Sequence, residues 1–421
     1  MTNRVLAIAG IVTAVMLGAA GAMAEGPAGS RVPVPPVKPE SYPVASDVRV
    51  GGDANQTRFV MDFDRPVDLA AFTLADPYRV VIDLPQVVFK LHGAGDKGRG
   101  LVKAFRYGLI MRGGSRIVID TTGPVHVDKA FVVDPAEGEP ARMVIDLSSV
   151  DRETFLHNMS AQEQSMHIKA ARTSVSTEPD TGSDPRPLIV IDPGHGGIDS
   201  GTKSYNGKYD EKDIVLAFGL ALRDKLLKSG RYRVAMTRTD DTFIPLTERT
   251  RFARVRKASL FISIHADSLP RREGLADGAS VYTLSEHASD AEAARLAETE
   301  NKSDVIAGVD LSAEPNDVAN ILIDLAQRET KVFSQQFART LVSDLKPTTR
   351  LHLHPVKSAG FIVLKSPDVP SVLVELGYMS TKSDLQNLLS PAWRLRTADS
   401  MVEAVDAFFA PRLAGDGSVV K

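Results

Sequence analysis

The 421-residue chain contains no cysteine. Disulfides, thiolate metal sites and cysteine nucleophiles are thereby excluded. Neither sign of charge dominates, since 50 Lys and Arg stand against 53 Asp and Glu for a formal net charge of −3. No basic footprint for nucleic acid follows from that balance. Aromatic residues make up only 6% and there is a single tryptophan, yet the hydrophobic fraction of 43% is ordinary for globular protein and excludes wholesale disorder. Beyond the first residues no apolar run reaches membrane-spanning length. A chain this long exceeds one ordinary core, so the expectation is a multidomain protein.

Arg4 supplies a positive n-region, Val5 to Leu17 an apolar h-region, and Ala22-Met23-Ala24 a small-x-small cleavage pattern. Residues 1–24 therefore read as a signal peptide, with export through the Sec or Tat pathway and no transmembrane anchor after cleavage. Residues 25–44, with "RVPVPPVKPESYP", read as a Pro-rich extended tether. From 45 to 149 short alternating segments separated by turn residues indicate a small all-β domain. Three of them share a wording: Arg79 to Asp83 (RVVID), Arg116 to Asp120 (RIVID) and Arg142 to Asp146 (RMVID). The recurrence suggests two related β units, with the arginines and aspartates on wet strand edges or on a polymer-binding face. Residues 150–186 lose periodicity and read as a linker, and 414–421 as a tail.

From 187 to 413 strands alternate with long helices, the grammar of an α/β domain. "PLIVID", "YRVAMTR", "ASLFISIHAD", "GASVYTL", "FIVLK" and "PSVLVELGY" read as its strands. "EKDIVLAFGLALRDKLLKSG" reads as an amphipathic helix closed by Gly230. Residues 285–346 interrupt the alternation with a helical insertion: Ser289 and Glu292 have capping-box spacing before an alanine-rich helix. A second helix there carries Val318, Ile321, Leu322, Leu325, Val332 and Phe333 at helical spacing.

The chemistry gathers at strand ends. "IVIDPGHGGIDSG" places His195 in a loop with four glycines just past the first α/β strand, and "LFISIHAD" ends a second strand on His265. Ligands of open α/β sheets collect at the carboxyl ends of strands, so the two imidazoles are candidates to converge. No Lys-Ser/Thr pair follows the glycines, which argues against a phosphate cradle. Glu211 opens the next helix, where a carboxylate either complements the helix dipole or reaches the same strand ends. Two His and one Glu form a donor set suited to Zn²⁺ with a fourth position left for water, although no HExxH motif is present. Glu375, near the end of the apolar strand "SVLVELGY", is either salt-bridged or placed as a general base.

The ordered stretches "VIDPGHGGIDSG", "EKDIVLA", "MTRTDDTFIPLTERT", "LFISIHAD" and "SVLVELGYMS" resemble the zinc-dependent N-acetylmuramoyl-L-alanine amidases of the amidase 3 family over Pro187 to Leu413. The preceding β domain is similar to the AMIN domain of periplasmic members. The resemblance implies His195, Glu211 and His265 as zinc ligands, Glu375 as catalytic glutamate, Zn²⁺ as cofactor and a structural role for Arg249. It implies hydrolysis of the amide between N-acetylmuramic acid and L-alanine in periplasmic peptidoglycan, during wall remodelling and daughter-cell separation. It also implies that a helix of the insertion blocks the cleft until an activator with a LytM-type domain binds there. Glu300 in "ETENKSD" is then the candidate inhibitory zinc contact, with Glu298 the alternative. Ser200 and the run "RFARVRKA" depart from the family pattern without touching a ligand. Two other readings stay open: a zinc peptidase cutting within the stem peptide, and a non-catalytic peptidoglycan-binding scaffold.

Overall fold

The computed structural model describes residues 42–91, 98–111, 113–136, 138–159, 184–268, 277–308 and 321–415. The expected signal peptide, most of the tether, residues 160–183 of the linker, 309–320 of the insertion and 416–421 of the tail lie outside the described residues.

The N-terminal domain is all β. Its strands are β1 (Val44–Gly52), β2 (Gln56–Phe63), β3 (Ala70–Leu74), β4 (Arg79–Pro85), β5 (Val88–Phe89), β6 (Val102–Met111), β7 (Gly114–Thr121), β8 (Val125–Val133) and β9 (Ala141–Ser149). They form a five-stranded sheet in the order β5-β1-β2-β9-β8 and a four-stranded sheet in the order β3-β4-β7-β6. Alternate residues of both sheets, among them Phe59, Met61, Val80, Ile82, Ile117, Ile119 and Ile145, meet in one core, so the sheets form a sandwich. Past β9 the chain is helical over 152–159, where the linker was expected to be irregular. Phe155 holds this turn down against Tyr78, ring centroids 5.1 Å apart.

The recurrent R-x-V-I-D wording has a specific geometry. β4 and β7 are antiparallel and in a register that sets Arg79 opposite Asp120 and Asp83 opposite Arg116. β2 and β9 repeat this, with Arg58 opposite Asp146 and Asp62 opposite Arg142, which adds "RFVMD" as a fourth copy. The expectation of wet strand edges fails for Arg79, which is 3% exposed on a sheet face packed against the second domain. It holds in part for Asp83 and Asp120 of the same pair, whose side chains keep 37% and 27% exposure.

The second domain is α/β, built in order from β10 (Leu188–Pro193), α1 (Glu211–Ser229), β11 (Arg233–Met236), α2 (Leu246–Val255), β12 (Leu260–His265) and β13 (Ala279–Leu284). α3 (Ala291–Glu300), α4 (Ser303–Ile306) and α5 (Ile321–Leu345) follow, then β14 (Leu351–Ala359), β15 (Ser371–Glu375), α6 (Lys382–Leu389) and α7 (Pro391–Gly415). The sheet order is β11-β10-β12-β15-β13-β14, parallel except where β13 meets β15. Both faces are covered, which is why the strands read as continuous apolar runs. Ile189 and Ile191 face α1, α5 and α7, with Phe218, Phe337 and Phe408. Leu188 and Val190 face the other way, with Ala253 of α2 and Leu296 of α3. Gly230 ends α1 in the left-handed conformation at φ 71°.

Two local expectations are corrected. "FIVLK" is a 3₁₀ turn (Ile362–Leu364), and the strand lies earlier, over Leu351–Ala359. An edge position lets that strand carry Pro355, while Val363 and Leu364 are buried as part of the turn. The cap of α3 is Asp290, whose side chain accepts from the N–H of Ala293, in place of Ser289. Glu292 is thus freed from a capping box and reaches across to Tyr378 and Lys357.

Candidate metal centre and active site

Three strand ends and one helix start converge. β12 and β15 are parallel neighbours in a register that makes His265 and Glu375 direct partners. Pro193 of β10 lies opposite Ile264, so His195 emerges on the same edge. The loop after β10 folds back so that Glu211, the first residue of α1, is fully buried beside both imidazoles. One ligand atom from each of His195, Glu211 and His265 falls within 4.8 Å of the others.

The glycines of the first loop serve close approach. A Cβ on Gly194 would stand 2.4 Å from the His265 ring, and one on Gly201 (φ 64°) would stand 2.7 Å from the His195 ring and 2.8 Å from Glu211 Oε2. His195 itself takes φ 59°, a left-handed backbone that is uncommon outside glycine. Arg249 of α2 fixes that turn, donating to the main-chain oxygens of Pro193 (2.9 Å) and His195 (2.8 Å) and to Asp192 Oδ1 (2.8 Å).

Hydrogen bonding orients the donor set. Asp199 Oδ2 lies 2.9 Å from His195 Nδ1, which leaves Nε2 as the nitrogen that faces the cleft. Glu211 accepts the N–H of Thr202 on Oε2 (3.0 Å) and of Ala266 on Oε1 (2.8 Å). His195 Nε2 and His265 Nδ1 are buried with no hydrogen-bond partner. Yet Nε2 of His195 stands 3.1 Å from Glu211 Oε2, and Nδ1 of His265 stands 3.3 Å from Glu211 Oε1. Buried nitrogens that lack a hydrogen-bond partner and converge on a carboxylate are the arrangement that a cation satisfies. The residues present therefore fit a divalent metal ion.

Electrostatics agree with that fit. Burial alone would push the Glu211 carboxyl up, but His195 and His265 more than offset it and hold it well below the ordinary range. Glu375 goes the opposite way: burial first, then the charges of Glu211, Asp267 and Glu300, raise it well above the usual value. Its Oε2 accepts the N–H of Asp267 at 3.0 Å, and its Oε1 is buried without a partner. A carboxyl raised in this way is suited to carrying a proton at neutral pH.

Glu300, the last residue of α3, joins the cluster. Its Oε2 lies 3.6 Å from His195 Nε2 and 3.2 Å from His265 Nδ1. Glu298 instead points outward and pairs with Lys302. α3 forms one wall of a groove whose other side includes His195, Gly201, Asp267 and Ser268. Two further groups are placed here that spacing does not reveal. Asp199 follows His195 by four residues, and its oxygen also accepts from Ser303 at the start of α4. Lys357, only 2% exposed, pairs with Glu292 at 2.9 Å and so ties the other end of α3 to β14.

The profile of the N-acetylmuramoyl-L-alanine amidase family (Amidase_3) matches residues 189–407. The chain belongs to that family. The AMIN domain profile matches residues 47–147. Amidase AmiC of Escherichia coli O6:H1 is 32% identical over 86% of this chain and 89% of its own length. Amidase AmiC of Neisseria meningitidis serogroup B is also 32% identical, over 87% and 90% respectively. A solved amidase from Clostridium difficile 630 is 24% identical and covers 54% of this chain and 98% of its own, with a TM-score of 0.39. The protein is thus a peptidoglycan amidase with an AMIN domain ahead of its catalytic domain, and the imidazoles and carboxylates described above sit inside the amidase match. No helix among the described residues is long and apolar enough to cross a membrane.

Proposed function

We propose that the protein is a zinc-dependent N-acetylmuramoyl-L-alanine amidase of the periplasm, held inactive by α3 and acting in wall remodelling and daughter-cell separation. The observation that carries the metal is the pair of unpartnered nitrogens, His195 Nε2 and His265 Nδ1, facing the Glu211 carboxylate. These three side chains would hold Zn²⁺, which, when bound, supplies Lewis-acid polarisation of a water and of the substrate carbonyl. Asp199 keeps His195 in the tautomer that presents Nε2. Glu375 takes a proton from the attacking water at its unpartnered Oε1 and returns one to the leaving nitrogen of L-alanine. The bond broken joins the lactyl carbonyl of N-acetylmuramic acid to that nitrogen, which frees the stem peptide from the glycan.

Glu300 supports the inhibited reading, since its Oε2 occupies the side of the cluster where a substrate carbonyl must enter. The helical insertion is the surface on which an activator with a LytM-type domain would act, and residues 1–24 would direct export.

Digestion of purified sacculi tests the whole reading. Full-length protein and the variant Glu300→Gln are compared, each with and without chelator, because α5 of the insertion is part of the core and has to stay. Free stem peptides with intact N-terminal L-alanine, a higher rate for Glu300→Gln and loss of both activities with chelator are expected. Cleavage within the stem peptide would indicate a peptidase instead, and chelator-resistant release would remove the metal from the mechanism.

A further inference from the structure

The outer face of the β3-β4-β7-β6 sheet is turned toward the catalytic domain. Val81 of β4 and Val118 of β7 pack with Ala307, Ile198 and Phe243. Gly308 (φ 65°) comes so close that a Cβ on it would stand 2.9 Å from Val81 and 3.0 Å from Val118. Around this contact three arginines from three adjacent strands donate to four consecutive main-chain oxygens. Arg79 reaches Val305 at 2.8 Å, Arg106 reaches Ile306, and Arg116 reaches Ala307 at 3.2 Å and Gly308 at 2.9 Å.

Carbonyls at the end of a helix lack donors within it, and these lie at the end of α4, where Val305 also accepts from the N–H of Gly308 at 3.1 Å. Two of the arginines are compensated by carboxylates inside the sheet: Arg106 pairs with Asp120, and Arg116 with Asp83, both at 2.6 Å. Arg79 is held by the main-chain oxygen of Pro77 at 3.1 Å. All three are therefore fixed in direction before any carbonyl of 305–308 arrives. Two residues separate α4 from Glu300, so whatever holds 305–308 also limits how far α3 moves. The same sheet touches the loop that carries His195, since the N–H of Ile198 donates to Leu109 of β6 at 3.1 Å.

We infer that this sheet face is a receptor for the segment Val305–Gly308 and clamps the blocking helix closed, so that the AMIN domain restrains the catalytic domain of its own chain. The inference rests on the reading that α3 blocks the cleft. It gives the β domain a second role: a partner or polymer that displaces this face from 305–308 would release Glu300 from the metal centre.

The test measures basal release of dye from labelled sacculi, with no activator added. Three full-length proteins are compared: wild type, Glu300→Gln, and the triple variant Arg79→Gln/Arg106→Gln/Arg116→Gln. A hydrogen bond to a charged donor is worth about tenfold in such an equilibrium, so the triple variant should exceed wild type by at least about tenfold at equal metal content. If Glu300→Gln is faster than wild type and the triple variant is not, the clamp is wrong and blocking stands. If neither is faster, the blocking reading itself fails.

A crosslink covers the case in which the triple variant unfolds. The native chain has no cysteine, so Val118→Cys/Gly308→Cys in the Glu300→Gln background gives one defined pair. The oxidised form should be slow and reduction should restore the fast rate. Equal rates in both redox states would overturn the clamp.

Discussion

Arg249 donates to the main-chain oxygen of His195 at 2.8 Å, so a helix on one side of the sheet sets the backbone of an imidazole of the candidate metal centre. The same guanidinium is paired with Asp192, and both side chains are almost wholly buried. Removing one partner of such a pair strands the other charge and costs about 3–5 kcal/mol. Arg249→Met should therefore lower the denaturation midpoint by a corresponding amount and loosen metal retention. A variant with wild-type stability and metal content would show that the pair carries no structural weight.

Glu375→Gln keeps the side chain's shape and removes its ability to move a proton. Turnover on sacculi should fall by about 10²- to 10⁴-fold, while metal content by elemental analysis stays equal to wild type. Near-normal turnover would assign the proton transfers elsewhere.

Asp199 is tested through affinity, since it touches His195 and not the cluster's centre. Asp199→Asn should weaken metal binding by about 10- to 100-fold in competition with a chelator. Saturating metal should then recover much of the activity, whereas unchanged affinity would remove Asp199 from the orienting role.

The far end of α3 gives a pH dependence. Glu292 is lowered from 4.5 to about 2, first by His352, then, against partial burial, by Lys357 and Tyr378. A carboxyl depressed on folding contributes fully above its ordinary value, and the contribution is lost as pH falls through the folded value. Amide-exchange protection of 291–300 in wild type should exceed that of Glu292→Gln above pH 4.5. The excess should shrink on acidification and disappear near a pH of about 2. A difference that stays constant across that window would mean that the ion pair does not hold the helix.

Much of the catalytic domain was legible because its signals are local. "PLIVID" is apolar without interruption since both sheet faces are covered, and Gly230 marks a helix end by its own backbone freedom. His195, Glu211 and His265 are marked by residue type at strand and helix ends, and their convergence follows from sheet order. What stayed hidden depends on contacts between distant segments. Lys357 carries no signal in the sequence, since its partner Glu292 lies sixty-five residues earlier in the chain. Arg79 and Arg116 read as solvated until the carbonyls of 305–308 meet them. The 3₁₀ turn at Ile362 escaped because a short apolar run reads the same whether it is a strand or a buried turn.

The pairing of β4 with β7 has a consequence for how the β domain finds its alignment. A segment that starts on arginine and ends on aspartate is its own complement when run antiparallel, so each strand carries the key to the other's offset. Sliding by two residues would set Arg79 against Val118 and leave charges facing aliphatic side chains, while sliding by one would turn the core residues outward. β2 and β9 carry the same key in the other sheet. Assembly of the sandwich is thus indexed twice, and the index on one face doubles as the seat for the catalytic domain.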